Sequence, residues 1–183
     1  MPVPDSGNSA ALGYSLESGI PFEFGMTRNH YIGRTFIQPT QSIRDFKVKV
    51  KFNPIREVLS GRRVVLVDDS IIRGTTSKAR GKSLFEMGAK EVHLRVSCPP
   101  SRNPCFYGID FPTQKELIAA THTVEEIRKF LGVTTLGYLS IEGLLSAVKD
   151  HKDHYCTACF SGKYPVDFGG EGDKFSLERT NKC

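Results

Sequence analysis

Two neighbouring carboxylates and the turn that follows them are the residues of this sequence best suited to chemistry. Asp68 and Asp69 lead through Ser70 and two isoleucines into Arg73-Gly74-Thr75-Thr76. The acid pair repels a phosphate, but its hard oxygens suit a ribose diol or a Mg²⁺ carried by a substrate. The turn is small and hydroxyl-rich and opens a helix. There, unpaired N–H groups and a partial positive charge can hold a phosphate.

The elements around this stretch must position it. Val64 to Val67 is an unbroken apolar run rich in β-branched residues, read as a strand buried on both faces of a parallel sheet. The acids then fall at its carboxyl end, where open α/β sheets bind ligands. A helix is predicted from Thr76 to about Met87, with Gly88 ending it. Its apolar face (Ala79, Leu84, Phe85, Met87) is thin, Gly81 costs about 1 kcal/mol relative to alanine, and Arg80 and Gly81 stand where apolar residues are expected. Glu91 to Ser97 returns as a strand and completes a right-handed βαβ unit.

Upstream, Pro2 to Gly7 is a turn-rich loop with no strand before it. Asn8 is expected to cap a helix through Leu16 that stops at Gly19, and Ile20 to Phe24 reads as a strand. Arg28 to Pro39 mixes cations and aromatics without a period. It is either a surface loop or a mobile cover that brings Arg28 and Arg34 onto a pyrophosphate. Phe46 to Phe52 alternates as a half-buried strand with a basic outer face, ended by Asn53-Pro54 and followed by a short helical piece to Gly61. Downstream come a proline-rich loop from Cys98 to Asp110 and a helix from Gln114 to Ala120 started by Thr113. A capping box at Thr123 to Glu126 opens a helix that stops at Gly132. Thr135 to Leu139 reads as a strand, and Ser140 caps a helix through Val148. The sequence reads as one domain over 1–168 and a polar, glycine-rich, disordered tail over 169–183.

At 183 residues the chain can bury a real core. No apolar run is long enough to span a membrane, and a soluble cytoplasmic protein is the expectation. Five cysteines argue against a secreted disulfide framework. The net charge is +5, and residues 28–95 carry 15 Lys and Arg against 6 Asp and Glu. A nucleic acid or a small polyphosphate would answer that surplus. The cations flank the acidic turn and no recognition helix is visible, so the small anion is the expected partner.

The run from Arg63 to Thr76 resembles the phosphoribosyl-pyrophosphate (PRPP) fingerprint of type I phosphoribosyltransferases. That resemblance implies an α/β fold, a mainly parallel sheet flanked by helices. It places the ribose and metal at Asp68 and Asp69 and the 5-phosphate on the turn Ser70, Arg73, Gly74, Thr75 and Thr76. Pro2-Val-Pro-Asp-Ser-Gly7 and Arg28 to Pro39 are similar to two further loops of one branch, the amidophosphoribosyltransferases. By that likeness Ser6 lies near the pyrophosphate and its Mg²⁺, and the second loop closes over PRPP with Arg28 and Arg34. The likeness covers about residues 2–168. Arg80 and Gly81 depart from the family pattern.

Cys156-Thr-Ala-Cys159 could bind zinc, ligate an iron–sulfur cluster or do redox chemistry. It and the segment Pro104-Cys105-Phe-Tyr-Gly-Ile-Asp110 resemble parts of the cluster-bearing amidophosphoribosyltransferases. The resemblance makes Cys105, Cys156 and Cys159 ligands of a 4Fe–4S cluster, one short of four, with Cys98 and Cys183 outside the matched segments. His151 and His154 leave a zinc site open as the other reading.

The resemblance implies the first committed step of de novo purine biosynthesis. Ammonia from glutamine displaces pyrophosphate from C1 of PRPP and gives 5-phosphoribosylamine, with Mg²⁺ as cofactor. It also implies purine nucleotides as feedback inhibitors and a homo-oligomer. The family's glutaminase domain, whose nucleophile is an N-terminal cysteine, has no counterpart in a chain beginning Met1-Pro2, and an edge strand before the first loop is missing. The sequence therefore reads as N-terminally incomplete, and the fragment is expected to be inactive with glutamine. A PRPP-binding regulatory module, an inactive remnant, and a transferase using orotate or a purine base remain as alternatives.

Overall fold

The computed structural model of the chain describes residues 1–31, 52–107, 109, 113–148 and 152–166. In chain order these form α1 (Asn8–Ser18), β1 (Met26–Arg28), β2 (Phe52–Pro54), α2 (Arg56–Leu59), β3 (Arg63–Asp68), α3 (Thr75–Glu86), β4 (Glu91–Val96), α4 (Ile118–Thr121), α5 (Val124–Leu131), β5 (Thr135–Tyr138), α6 (Ile141–Ser146) and α7 (Ala158–Ser161). Short 3-10 turns lie at Gln114–Glu116 and Lys152–His154. Strands β3, β4 and β5 form a parallel sheet in that order, and β1 and β2 form a separate antiparallel ribbon. The expected α/β architecture, a parallel sheet with flanking helices, is what the chain adopts. Among the described residues no helix is long and apolar enough to cross a membrane.

One sheet face makes the core. Val64, Leu66, Val92, Leu94 and Val96 pack with Leu84 of α3 and with Ile127, Leu131 and Val133, all 8% exposed or less. The other face departs from the expected burial on both sides. Arg63 and His93 each bond Glu91 at 2.8 Å, His93 and Arg95 each reach Thr135 at 3.0 Å, and Val67 is the buried residue there. The alternation of β4 was the sign: Glu91, His93 and Arg95 share one side of the pleat.

Chain entry also differs from expectation. Met1 to Val3 run beside the end of β3 as an edge: Val67 donates to Met1 O at 3.0 Å, and Val3 donates to Val67 O at 2.7 Å. The β3 edge is therefore not left open there. Asn8 does not cap α1: Gly7 is the cap residue, and Asn8 Oδ1 is buried without a partner among the described residues. The helix runs to Ser18 and stops at Gly19 as expected. No strand forms at 20–24. Phe22 and Phe24 pack edge to face at 5.0 Å, and pairing starts at Met26, which is 1% exposed. Of the predicted strand Phe46–Phe52 only Phe52 is described. It opens β2, which runs on through Asn53-Pro54 rather than ending there.

Helix α3 ends at Gly88 as predicted, but its packing face is Ser77, Gly81 and Leu84, while Ala79 is exposed. The reason is close approach. A Cβ on Gly81 would sit 3.2 Å from Val133 Cγ1, so the missing side chain lets α3 lie against the chain after α5. The capping box at Thr123 forms in full, and α5 stops at Gly132 with φ +69°. The predicted helix 114–120 is broken by Leu117, which turns extended to bury its side chain completely. Ser140 caps α6 as expected, accepting from Gly143 N at 2.9 Å, though the helix is shorter than predicted. Residues 167–183, the greater part of the 28–39 stretch, and His151 lie outside the described residues.

Candidate functional site

Three segments meet at the carboxyl end of β3. The first loop is drawn in because Gly7 has no room for a side chain: a Cβ there would lie 2.5 Å from Val67 O and 2.9 Å from Val3 O. Its N–H donates to Val3 O at 2.9 Å, which closes the loop on itself and leaves Asp5 and Ser6 exposed. Arg28 is expected in a loop but ends β1 and donates to Asp5 at 2.7 Å, so the ribbon reaches the first loop. Arg28 Nε is buried and has no partner among the described residues. Arg34 lies outside them.

The two acids differ. Asp69 is exposed, and its Oδ1 accepts from Ser70 N at 2.8 Å. Asp68 is 1% exposed and fully engaged: Oδ1 accepts from Asp69 N at 3.0 Å and Oδ2 from Arg80 at 2.8 Å. Burial raises Asp68 from the ordinary 3.8 to about 7, against the pull of Arg80.

The turn after Asp69 ends on Gly74, whose φ of +78° is left-handed and favours glycine. A Cβ on Gly74 would press on Ile118 and Phe130 at 3.1 Å. No side chain caps α3, so its first N–H groups carry the helix's partial positive charge outward past Thr75, Thr76 and buried Ser77. Arg73 is committed elsewhere, in an ion pair with Glu116 through Nε at 2.6 Å. Ile118 N donates to Ile72 O at 2.9 Å, which pins the far side of the turn to α4. The arrangement can hold an anion on the helix start, with an open carboxylate and an exposed serine nearby.

Arg80 is the site residue that sequence reasoning passed over. It stood out as a cation on a face expected to be apolar, and nothing in the local pattern shows that it reaches back to Asp68, 12 positions earlier. Its side chain is 14% exposed and its guanidinium carbon lies 4.5 Å from the centre of the Phe52 ring.

A second centre lies beyond the proline-rich loop. Arg102 and Asn103 donate to Cys159 O at 2.9 and 3.0 Å, and Tyr164 donates to Pro104 O at 2.7 Å. These bonds bring Cys105 toward Cys156 and Cys159, and the Cys159 thiol is raised by burial and then by those two neighbours. Cys98 is pushed up to about 12 by burial, then by Asp69 and Cys159. Among the described residues no group of three His, Cys, Asp or Glu is arranged to hold a metal ion. The thiols have the right softness for iron–sulfur ligation, but they are one fewer than a four-cysteine set.

No protein-family model matches the chain. Among curated proteins it is 51% identical over 180 residues to the amidophosphoribosyltransferase of Methanothermobacter thermautotrophicus, covering 98% of this chain and 38% of the relative. It is 53% identical over 169 residues to that of Bacillus subtilis, covering 90% of this chain and 36% of the relative. A solved structure of the glutamine PRPP amidotransferase from B. subtilis, complexed with ADP and GMP, superposes with a TM-score of 0.79 at 52% identity, over 91% of this chain and 37% of that one. The chain thus spans less than two-fifths of the length of these proteins. Within that span the agreement extends from sequence to backbone, so the chain is homologous to one stretch of the amidophosphoribosyltransferases and has the phosphoribosyltransferase fold.

Proposed function

We propose that the chain is the PRPP-binding, phosphoribosyl-transferring part of an amidophosphoribosyltransferase. The observation that carries this is the meeting, at one sheet end, of an uncapped helix start, an open acid and a serine-bearing loop. The 5-phosphate takes the N–H groups that follow Arg73 and Gly74, with the hydroxyls of Ser70, Thr75 and Thr76 beside it. The ribose hydroxyls meet the acid pair, with Asp69 the open member and Asp68 behind it. The pyrophosphate lies toward Ser6, Arg28 and Arg34.

Ammonia then attacks C1. The new C–N bond forms as the bond from C1 to the pyrophosphate oxygen breaks, and that oxygen keeps the electron pair. The carboxylates flank the positive charge that develops on the ribose, and Arg28 and Arg34 meet the charge on the leaving group. The attacking nitrogen gives up a proton to water. No side chain is needed as base, because ammonia is already nucleophilic. The exposed oxygens of Asp69 and Ser6 would hold Mg²⁺, which takes few protein ligands when it arrives on a polyphosphate, whereas both carboxylate oxygens of Asp68 are already bonded to Asp69 N and Arg80. Bound there it supplies charge neutralisation for the pyrophosphate.

The ammonia would come from glutamine in the intact protein, and purine nucleotides would regulate the step. A homo-oligomer is part of the same proposal. Cys105, Cys156 and Cys159 are proposed as three ligands of a structural 4Fe–4S cluster, with the fourth outside the matched segments and no part in the transfer.

Calorimetry of the chain with Mg²⁺-PRPP tests the reading. Binding is expected, weakened about tenfold or more in Asp69→Asn, the loss that accompanies one charge-assisted contact. Ammonium salts should support release of pyrophosphate. Absence of heat from a folded sample, with Asp69→Asn indistinguishable from the parent, would refute it.

A further inference from the structure

Arg80 closes a ring of contacts around the site. Its Nη1 donates to Asp68 Oδ2 at 2.8 Å while its guanidinium lies 4.5 Å over the Phe52 ring. Phe52 of β2 is paired in register with Arg28 of β1, and Arg28 donates to Asp5 of the first loop at 2.7 Å. That loop returns to β3 through the bond from Val3 N to Val67 O at 2.7 Å, next to Asp68. One flat cation therefore uses its edge on the acid and its face on the ribbon. A lysine cannot reproduce both contacts, because its charge is a point on a flexible stem. The pair is also secluded, with side chains 14% and 2% exposed, so loss of the Asp68 acceptor leaves the Arg80 cation poorly hydrated and without its bond.

We propose that Arg80 is a positioning residue of this site: it holds Asp68 at the sheet edge and fastens the β1–β2 ribbon to it. The relevance to PRPP rests on the function proposed above, whereas the ring of contacts does not.

Hydrogen exchange at the Ile55 amide, which bonds Gly25 O and closes the ribbon, reads the fastening in the full chain. Asp68→Asn should speed Ile55 exchange about tenfold in the parent, the size of one sheltered cation–π contact, and add nothing in an Arg80→Met background. Arg80→Lys should keep the sheet amides of β3 and β4 protected but leave Ile55 fast. This decides the matter if Arg80→Met does not fold. Mg²⁺-PRPP should slow Ile55 exchange in the parent and not in Arg80→Lys. Equal effects of Asp68→Asn in both backgrounds, or a parental Ile55 rate in Arg80→Lys, overturns the inference. If the parent binds no Mg²⁺-PRPP, the functional proposal fails and the ligand-free comparison still judges Arg80.

Discussion

Asp68 should make this chain less stable as pH rises through neutrality, and Asp68→Asn should abolish that loss. In the folded chain burial holds the Asp68 proton up to about pH 7, whereas the ordinary carboxyl releases it near 3.8. Between those values the folded state binds one proton more than the unfolded state, so the free energy of unfolding falls with increasing pH. A shift of about three units at roughly 1.4 kcal/mol each amounts to about 4 kcal/mol, net of the help from Arg80. The side chain is almost wholly removed from water, so solvent screening reduces this little. Other acids work the other way: Arg63 holds Glu91 below its usual range, Arg128 does so for Glu125, and the Thr123 N–H does so for Glu126. Those groups contribute stability that is lost in acid. They are the same in both proteins and cancel in the difference. Urea unfolding of parent and variant should be measured from about pH 4 to about pH 8, with the midpoint converted to free energy. The gap between the two should move by about 4 kcal/mol in favour of the variant as pH rises. A gap constant to within about 1 kcal/mol would mean that Asp68 is ionised throughout, and the account of its burial would be wrong.

Three further outcomes are expected. Gly7→Ala should destabilise the chain by about 2–4 kcal/mol in thermal or urea unfolding, because its methyl group meets two backbone carbonyls and must break the loop bonds to Val3 and Val67. The same change should weaken Mg²⁺-PRPP binding, since it displaces Ser6. Thr123→Ala should cost about 1 kcal/mol by loss of the capping box, with no change in ligand binding. Anaerobic reconstitution with iron and sulfide should give the visible absorption of a cluster in the parent and lose it in Cys159→Ser. Colourless parent protein, with iron at background, would remove the cluster proposal.

The acid pair at a strand end, the glycine turn that opens a helix and the βαβ unit were legible because their physics is local. A short β-branched run makes a strand, and a strand that ends on acids and a glycine turn can be read without knowing what lies above it. The same holds for the capping box at Thr123 and the stops at Gly19, Gly88 and Gly132, where a single residue's hydrogen bonding or φ decides the outcome. Residues whose role depends on a distant neighbour were not legible. Gly81 looked like a helix weakness until Val133 was seen to occupy the space of its missing side chain. Arg80 looked misplaced until it met Asp68 on one side and Phe52, 28 positions earlier in the sequence, on the other. Asp68 and Asp69 are chemically identical in the sequence, and only packing buries one and leaves the other in water. Spacing along the chain therefore determined which groups could do the chemistry. Their charge states, reach and order around the sheet end came from contacts between segments, because desolvation and close approach are properties of the packed chain.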